Sequence, residues 1–408
     1  MNRVGRAVAL GVVCFLMGAV AQRVYDARKA AVAPPSAAGP GEETRVPAEE
    51  RPTNYDAVNL DHEPLWAYGF EAPAAHTDKA VPQTPPNRNL RPDQDPAEQT
   101  RLRHLGGSAA AYSLVDIRDG QNVVDWFPAD HPPMPSVIAH GPARLDKTRR
   151  GCGSCHLPNG KGRPENAGVA GLPVTYFLRQ LDDFRHGRRR SADPRKPNTN
   201  TMIDLAKALT EDEMRTAAAY FGSMTWTPWI RVVETNLAPS TRIVGNLYLA
   251  ADHTLAEPIA GRIIETPEDE QQAETYRNPR SGFVAYVPPG SIEKGKVLVT
   301  TGGMKIVGNT IVQGKTTACS TCHGLDLRGV ADVPPIAGRS PSYIVRQIWD
   351  MQQGTRNGPS AQLMKVVVAN LTPDDLVAIA AYVSSLTPPP VPAGLRARLG
   401  DEGTQGSR

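Results

Sequence analysis

One segment of the chain occurs twice, and this internal repeat constrains the fold more than any other feature of the sequence. Residues 152–187 align without a gap with residues 319–354, and residues 209–220 align with residues 371–382 after a five-residue difference in a loop. Identical residues recur throughout the alignment, including Ala-Gly, Tyr, Arg-Gln, Leu-Thr and Ala-Ala-Tyr. Because repeated sequences fold alike, we expect two copies of one structural unit.

Each copy is predicted to contain two helices. Apolar residues recur at helical spacing over Val174–His186 and over Ser342–Gln353, which indicates a first helix with one buried face. A second helix is predicted to begin after Thr210 and after Thr372, where threonine precedes a run of acidic residues. A threonine cap followed by acids is typical of a helix N-terminus.

Between the two copies the chain has the composition of short strands. The segments are β-branched and bounded by Pro, Gly and Asn, as strands commonly are. We predict strands at Ile230–Glu234, Arg242–Leu249, Arg262–Glu265, Gly282–Val287 and Lys296–Thr300. The sequence therefore predicts a β-rich spacer, residues 229–290, between the units.

The N-terminus has the three parts of a secretory signal. Arg3 and Arg6 are followed by the uncharged run Ala7–Ala21, which ends in small residues of the kind that a signal peptidase requires. The run is shorter than the ~20 apolar residues of a membrane span. We predict that residues 1–21 are a signal peptide or, if uncleaved, an inner-membrane anchor, and that the chain is exported to the periplasm. Cys14 lies inside this run and is predicted to be only a hydrophobic residue.

The remaining segments are predicted to be less regular. The chain contains 38 prolines and 36 glycines, and only 6% of its residues are aromatic, which favours irregular segments between small compact units. The predicted order is a linker (22–55), an irregular N-terminal extension (56–140), the first unit (141–228), the spacer, the second unit (291–388) and a flexible tail (389–408). The extension is expected to pack its aromatic residues onto a neighbouring domain.

Two motifs carry the chemistry. Cys152, Cys155 and His156 form one C-x-x-C-H motif, and Cys319, Cys322 and His323 form the other. In c-type haem attachment, two cysteines one helical turn apart bond to the vinyl groups, and the adjacent histidine ligates the iron. We therefore predict two covalently bound c-type haems, with His156 and His323 as iron ligands.

Other uses of the four cysteines fit the sequence less well. A zinc site would join cysteine pairs much farther apart than the usual ~15–20 residues and would leave both histidines unexplained. A thioredoxin-like redox pair needs a βαβ context, which neither copy has. A disulfide within each motif would not require a histidine after both.

The repeat also selects candidates for the second iron ligand among nine methionines. Met202 aligns with Met364, and both stand seven residues before the Leu-Thr helix start, where we expect loops. Met214, Met224 and Met351 align with Leu376, Leu386 and Phe184, so they are predicted to be core residues. His186 aligns with Gln353, so it is not expected to be a ligand shared by both units. The other histidines lie outside both units, and iron ligation by one of these histidines is the alternative. A methionine opposite the histidine closes the iron to substrates and raises its potential, as one-electron transfer requires.

Taken together, these residues resemble the class I, mono-domain cytochrome c family, duplicated into a dihaem cytochrome c. The resemblance implies a mainly α fold with two helical haem domains in tandem and electron transfer between periplasmic redox partners. The family usually has a proline whose carbonyl accepts a hydrogen bond from the ligand histidine. Pro334 matches it, but Ala167 stands at the aligned position of the first unit. The first unit also lacks a clear helix before its motif, since Leu145–Arg150 is short and charged.

We expect an electron-transfer protein and not an enzyme, with a dehydrogenase, an oxidase or another cytochrome as partner. The alternatives are the haem subunit of a periplasmic dehydrogenase complex, or a dihaem enzyme of peroxidase type with one open iron. A net charge of +3 without a long basic stripe argues against a nucleic-acid partner. A membrane contact is expected only if residues 1–21 remain attached. The basic loop Arg185–Lys196 is expected to be a solvated loop or to steer an acidic partner toward the first haem.

Overall fold

The computed structural model describes residues 62–72, 94–145 and 150–387, apart from the side chains of residues 252 and 253. These residues belong to one compact body within Thr53–Arg408. The predicted signal or anchor, the linker and the tail lie outside the described residues, as do Cys14 and His76. Among the described residues, no single helix has both the length and the hydropathy needed to cross a bilayer. The bent pair Ala361–Val368 and Pro373–Ser385 meets these two criteria only when both helices are counted together.

The extension contains short helices and one small hairpin. The helices are Leu65–Tyr68, Pro96–Thr100, Leu114–Arg118 and Ser136–Ala139, with a 3₁₀ turn at Pro128–Asp130 and strands Arg103–His104 and Ala111–Tyr112. Its aromatic residues contact other parts of the chain, in line with the sequence. Tyr68 is fully buried and donates its hydroxyl to Asp350 of the second unit at 2.7 Å, and the Trp126 indole donates to the carbonyl of Tyr276 at 2.8 Å.

The first unit is helical and has its own core. Its helices are Gly153–His156, Val174–Arg185, Pro197–Ala208 and Glu211–Gly222. Thr210 caps the last helix: its hydroxyl accepts from the backbone of Glu213, and the Glu213 carboxylate accepts in return from the backbone of Thr210. The predicted long helix and the predicted helix start are therefore confirmed.

A short helix that the sequence did not reveal, Ser136–Ala139, precedes the first motif. It places Val137 and Ile138 in the core of the first unit, beside Phe221 of the last helix. The end of the extension therefore supplies a helix before the first motif.

The second unit repeats this order of elements. Its helices are Ser291–Thr301, Ser320–His323, Pro341–Gln352, Ala361–Val368 and Pro373–Ser385, and a hairpin of Lys305–Val307 and Thr310–Val312 precedes the motif. Thr372 caps the last helix through the backbone of Asp375, as Thr210 does in the first unit. The prediction of two helical units in tandem is confirmed.

The expectation that Met202 and Met364 lie in loops is wrong. Met202 lies in the helix Pro197–Ala208, and Met364 lies in the helix Ala361–Val368. In the first of these helices, proline at the first position fixes φ for the first turn. Ile203 and Ala206 then bury one face against Phe184. Tertiary packing of this face stabilises the helix.

The predicted strand Lys296–Thr300 is also wrong, because these residues belong to the helix Ser291–Thr301. Its β-branched residues suggested a strand. The helix crosses the helix Pro373–Ser385 at Gly295, where an added Cβ would overlap the carbonyl oxygen of Ala378. Burial of this face against Pro373–Ser385 overrides the local preference.

The spacer contains a three-stranded sheet and a long hairpin. Ile230–Glu234 pairs in parallel with Phe283–Val287, which pairs antiparallel with Ile264–Pro267. Two of the predicted strands are therefore found in place, and the one predicted at Arg262–Glu265 begins two residues later.

The segment predicted as the strand Arg242–Leu249 is instead the tip of a hairpin. Its strands are Leu237–Val244 and Leu247–Pro258. Gly245 and Asn246 join them with φ of 58° and 67°, and two successive positive φ values are the geometry of a tight hairpin turn. The Gly-Asn pair was the signal for a turn at this place.

Glu63 in the extension gives folding stability a specific pH dependence. Its carboxylate is buried, and neither oxygen has a hydrogen-bond partner among the described residues. Burial, followed by the charge of Asp193, raises the pKa of Glu63 from 4.5 to about 8; Arg195 opposes this shift and Asp350 adds to it. Between these pH values the folded protein keeps a proton that the unfolded chain releases. The contribution of Glu63 to stability is therefore full below pH 4.5 and is lost as the pH rises through about 8.

We expect Glu63→Gln to remove this dependence, and to raise the free energy of unfolding at pH 8 by a few kcal/mol because no buried carboxyl then loses a proton on unfolding. Denaturant titrations at several pH values measure the effect. Glu71→Gln is the control, since Glu71 is an exposed glutamate of the same segment. Parallel pH profiles for wild type and Glu63→Gln would contradict the prediction.

Candidate haem sites

The first motif is one turn of helix, and both of its cysteines are partly buried. Cys152 precedes the helix Gly153–His156, and its Sγ lies 3.3 Å from the carbonyl oxygen of Val137. Burial raises the pKa of Cys152 to about 12 and that of Cys319 to about 11. The four described cysteines are free thiols. They are therefore available for thioether bonds.

The two motif histidines have the same hydrogen-bond geometry. Nδ1 of His156 donates to the carbonyl oxygen of Ala167 at 2.8 Å, and Nδ1 of His323 donates to that of Pro334 at 2.8 Å. A carbonyl only accepts, so the proton lies on Nδ1 and the lone pair on Nε2. Ala167 thus makes the contact expected of a proline, since only its backbone is needed. In each unit the hydrogen bond from Nδ1 to the carbonyl fixes the tautomer and orients the ring for metal binding through Nε2.

Burial keeps both rings neutral. It lowers the pKa of His156 and of His323, while the hydrogen bond to the carbonyl opposes the shift in each case. Since neutral imidazole is the form that binds a metal, each ring is prepared to bind iron through Nε2.

Each unit brings its motif and its candidate methionine to one apolar core. Cys152 and Met202 pack against the cluster that contains Phe177 and Phe221, and the Phe221 ring lies 6.1 Å from the His156 ring. In the second unit, Cys319 and Met364 pack against the other large cluster of the chain's described part. The structure therefore places the two kinds of predicted site residue in a shared environment in both units.

The donor sets fit a c-type haem. Each unit offers two thiols, a thioether in apolar surroundings and an imidazole whose Nε2 has no hydrogen-bond partner among the described residues. Three buried indole N–H groups, those of Trp226, Trp229 and Trp349, have no acceptor among the described residues, and a cofactor carboxylate would satisfy such a donor. Within the same residues, no group of three or more His, Cys, Asp or Glu side chains could hold a metal ion.

Most other methionines and histidines of the described residues have structural roles. Met214 and Met351 are buried core residues, as predicted. His131 lies 3.2 Å from Asp125 and 3.0 Å from the Tyr220 hydroxyl, and His140 donates to the carbonyl of Gln121 at 2.9 Å. Both ring nitrogens of His131 and Nδ1 of His140 are therefore engaged by protein partners.

A buried polar cluster between the two units was not predicted. Its members are repeat-related pairs: Tyr176 and Tyr343, Gln180 and Gln347, Arg189 and Arg356. Arg189 donates to Gln180 of its own unit and to Tyr343 and Gln347 of the other, at 2.8–2.9 Å. Arg356 donates correspondingly to Gln347, Tyr176 and Gln180, at 2.8–3.2 Å. The cluster thus has pseudo-two-fold symmetry, and the repetition of Tyr and Gln in the alignment was its signal.

The expectation of a solvated or partner-steering loop at Arg185–Lys196 is wrong. Arg189 lies in the cluster just described, and Lys196 is buried and donates to the carbonyl of Tyr68 at 3.0 Å. Arg188 pairs with Asp183 at 3.0 Å, and Arg195 pairs with Asp193 at 2.6 Å. The basic residues serve internal contacts, so the loop does not present the positive surface that steering needs.

Comparison with known proteins finds related cytochromes. The Cytochrome c family model matches residues 307–387. The thiosulfate dehydrogenase electron acceptor of Stutzerimonas stutzeri is 31% identical over 58% of this chain and 78% of its own length. Cytochrome c4 of Pseudomonas aeruginosa is 22% identical over 58% of this chain and 83% of its own. The solved structure of Acidithiobacillus ferrooxidans cytochrome c4 superposes with a TM-score of 0.36 at 21% identity, covering 58% of this chain and 98% of that one.

The fold and the motifs define a c-type cytochrome with two helical units. The chain belongs to the cytochrome c family, and its relatives include cytochrome c4 and electron acceptors of thiosulfate dehydrogenase. The resemblance drawn from the sequence is confirmed, and the function of the chain is electron transfer.

Proposed function

We propose that the protein is a periplasmic dihaem cytochrome that passes single electrons between redox proteins. His156 and Met202 hold one iron, and His323 and Met364 hold the other. The observation that carries this proposal is the duplicated geometry: in both motifs Nδ1 donates to a carbonyl at 2.8 Å, and in both units the methionine packs in the same core as a motif cysteine. The signal-like residues 1–21 support export.

The residues of each site have complementary roles. The covalently attached haem would supply one-electron chemistry through the ferric and ferrous states of its iron. The cysteines would hold the cofactor covalently, the imidazole would bind the iron through Nε2, and the thioether would be the second protein ligand, which raises the potential. With a histidine and a methionine as ligands, each iron would have no open position for a substrate. This argues against the peroxidase alternative.

A periplasmic dehydrogenase is the electron donor that we favour. The relative from Stutzerimonas stutzeri, at 31% identity, is by name the electron acceptor of thiosulfate dehydrogenase. A role as a haem-bearing acceptor subunit is therefore the second candidate function. Co-purification with a dehydrogenase would separate a stable subunit from a free carrier.

Counting haems tests the proposal. The protein, exported together with haem-maturation machinery, is expected to carry two covalent haems per chain, measured by the pyridine haemochrome spectrum and by intact mass. The pair Cys152→Ala/Cys155→Ala should leave one haem, and Cys319→Ala/Cys322→Ala should leave the other. The two variants are matched controls for each other. A single haem in the wild type, or a high-spin component in its oxidised spectrum, would contradict the proposal.

A further inference from the structure

The two haem motifs differ in how much of the surrounding surface the chain itself covers. In the first unit, Ser154 and Pro158 are buried. The corresponding residues of the second unit, Thr321 and Leu325, are exposed. Sequence-equivalent positions thus lie in different environments.

Segments outside the first unit provide this cover. Val123 of the extension packs against Gly153, where an added Cβ would lie 3.1 Å from its side chain. Arg277 donates to the carbonyl of Ser154 at 3.2 Å, and Asn159 donates to the carbonyl of Pro279 at 2.7 Å. A partner therefore cannot approach the first motif from this side without displacing the chain's own residues.

The second unit exposes large apolar side chains close in sequence to each of its two candidate iron ligands. Leu325 follows His323 and is 95% exposed, and Leu363 and Val366 flank Met364 and are 80% and 78% exposed. We call Leu325, Val330, Leu363 and Val366 the second-haem face. Their aligned residues in the first unit are Pro158, Arg163, Thr201 and Asp204. The exposed apolar residues beside the motif histidine and beside the methionine are therefore specific to the second unit, and large exposed apolar side chains near a site indicate an interaction surface.

The hairpin before the second motif extends this surface. All six of its strand residues are exposed, among them Ile306, Val307 and Ile311. The chain that follows it contacts the methionine-bearing helix, where Thr316 donates its hydroxyl to the carbonyl of Val367 at 2.5 Å. A two-stranded hairpin with both faces in water is only marginally stable, so a covering partner would stabilise it.

The charges of these segments have mainly one sign. Residues 304–316, 324–330 and 361–368 contain four basic residues, Lys305, Lys315, Arg328 and Lys365, and one acidic residue, Asp326. Complementary charge accelerates encounter and orients the partners. Lys315 pairs with Asp375 and Arg328 pairs with Asp326, so Lys305 and Lys365 carry the net positive charge of these segments. This remaining charge favours an acidic partner.

We propose that the second-haem face is the docking surface for a redox protein whose contact surface is apolar at its centre and acidic around it. This inference rests on the proposed function, because it requires a haem held by His323 and Met364. The docked partner, a reduced one-electron carrier, donates one electron to the oxidised second unit, and no bond or proton is transferred. The first unit, whose motif is covered on one side by the extension and the spacer, exchanges electrons through the second.

An electrode whose surface is both apolar and acidic, like that of the proposed partner, tests the docking surface. The probe is gold coated with a mixed monolayer of carboxylate- and methyl-terminated alkanethiols, and the sample is the full-length protein with both haems. Leu363→Thr/Val366→Asp introduces the residues of the first unit and is expected to lower the interfacial electron-transfer rate constant at least tenfold. Leu325→Thr, remote in sequence from the methionine, should lower it in the same direction.

Val244→Asp/Leu255→Thr is the matched control, because both residues are exposed apolar residues of the spacer hairpin, and its rate should equal that of the wild type. Rates unchanged in the face variants, or lowered equally in the control, would overturn the proposal. A wild-type dimer that the face variants convert to monomers would assign the surface to a second copy and would also overturn it. Failure of the proposed function is distinguished by spectroscopy, since a wild type without two methionine-ligated haems contradicts that function whatever the electrode shows.

Discussion

Replacing Met202 or Met364 with alanine is expected to remove about half of the far-red methionine–iron band of the oxidised protein, and the double variant should lose the band entirely. A thioether ligand favours the ferrous state. Its loss should therefore lower the potential of the affected haem by on the order of 0.1 V or more, since axial ligands shift haem potentials over several tenths of a volt. Absorption spectra and redox titrations of the three variants measure both effects.

The control for these variants is Met214→Leu. Met214 is buried in the first core, and its aligned residue in the second unit is Leu376, so leucine suits the position. This variant should keep the full band and both potentials. A band that persists in Met202→Ala/Met364→Ala would show that other groups ligate the irons.

Replacing Gly295 with alanine is expected to lower the free energy of unfolding of the protein by about 3 kcal/mol, the upper part of the usual cost of overpacking. Alanine would gain about 1 kcal/mol of helix propensity. Its Cβ, however, would overlap the carbonyl group of Ala378 and lie 2.8 Å from Cβ of Tyr382. The helices Ser291–Thr301 and Pro373–Ser385 would have to move apart, and urea denaturation measures the loss.

Gly106→Ala is the matched control for this substitution. A Cβ at Gly106 meets nothing within 4 Å, so its stability should stay within about 0.5 kcal/mol of wild type. A Gly295→Ala protein as stable as wild type would refute the close crossing of the two helices.

Local sequence was sufficient for the features that repeat. The helical spacing of Val174–Arg185, the threonine caps and the two C-x-x-C-H motifs depend on residues a few positions apart, and the alignment of the two copies added a second, independent example of each. The same alignment selected Met202 and Met364 as candidate ligands among the methionines, but it did not predict the helices in which they lie.

Features that depend on distant parts of the chain could not be predicted in this way. Arg189 is buried because Tyr343, 154 residues away in sequence, accepts its hydrogen bond, and no local pattern shows this. Ser291–Thr301 contains β-branched residues that favour a strand, and it is a helix because Gly295 permits close contact with a helix about eighty residues later. In both cases long-range packing overrides local preference.

The pseudo-two-fold cluster of Arg189 and Arg356 also bears on how the chain arose. Each arginine binds the glutamine of its own unit and the tyrosine and glutamine of the other. In an isologous interface, the same surface patch serves both subunits. Two identical single-haem subunits related by a two-fold axis would therefore satisfy the same six hydrogen bonds. The cluster therefore has the symmetry of an interface between two identical subunits, as duplication of one unit within a single chain would produce.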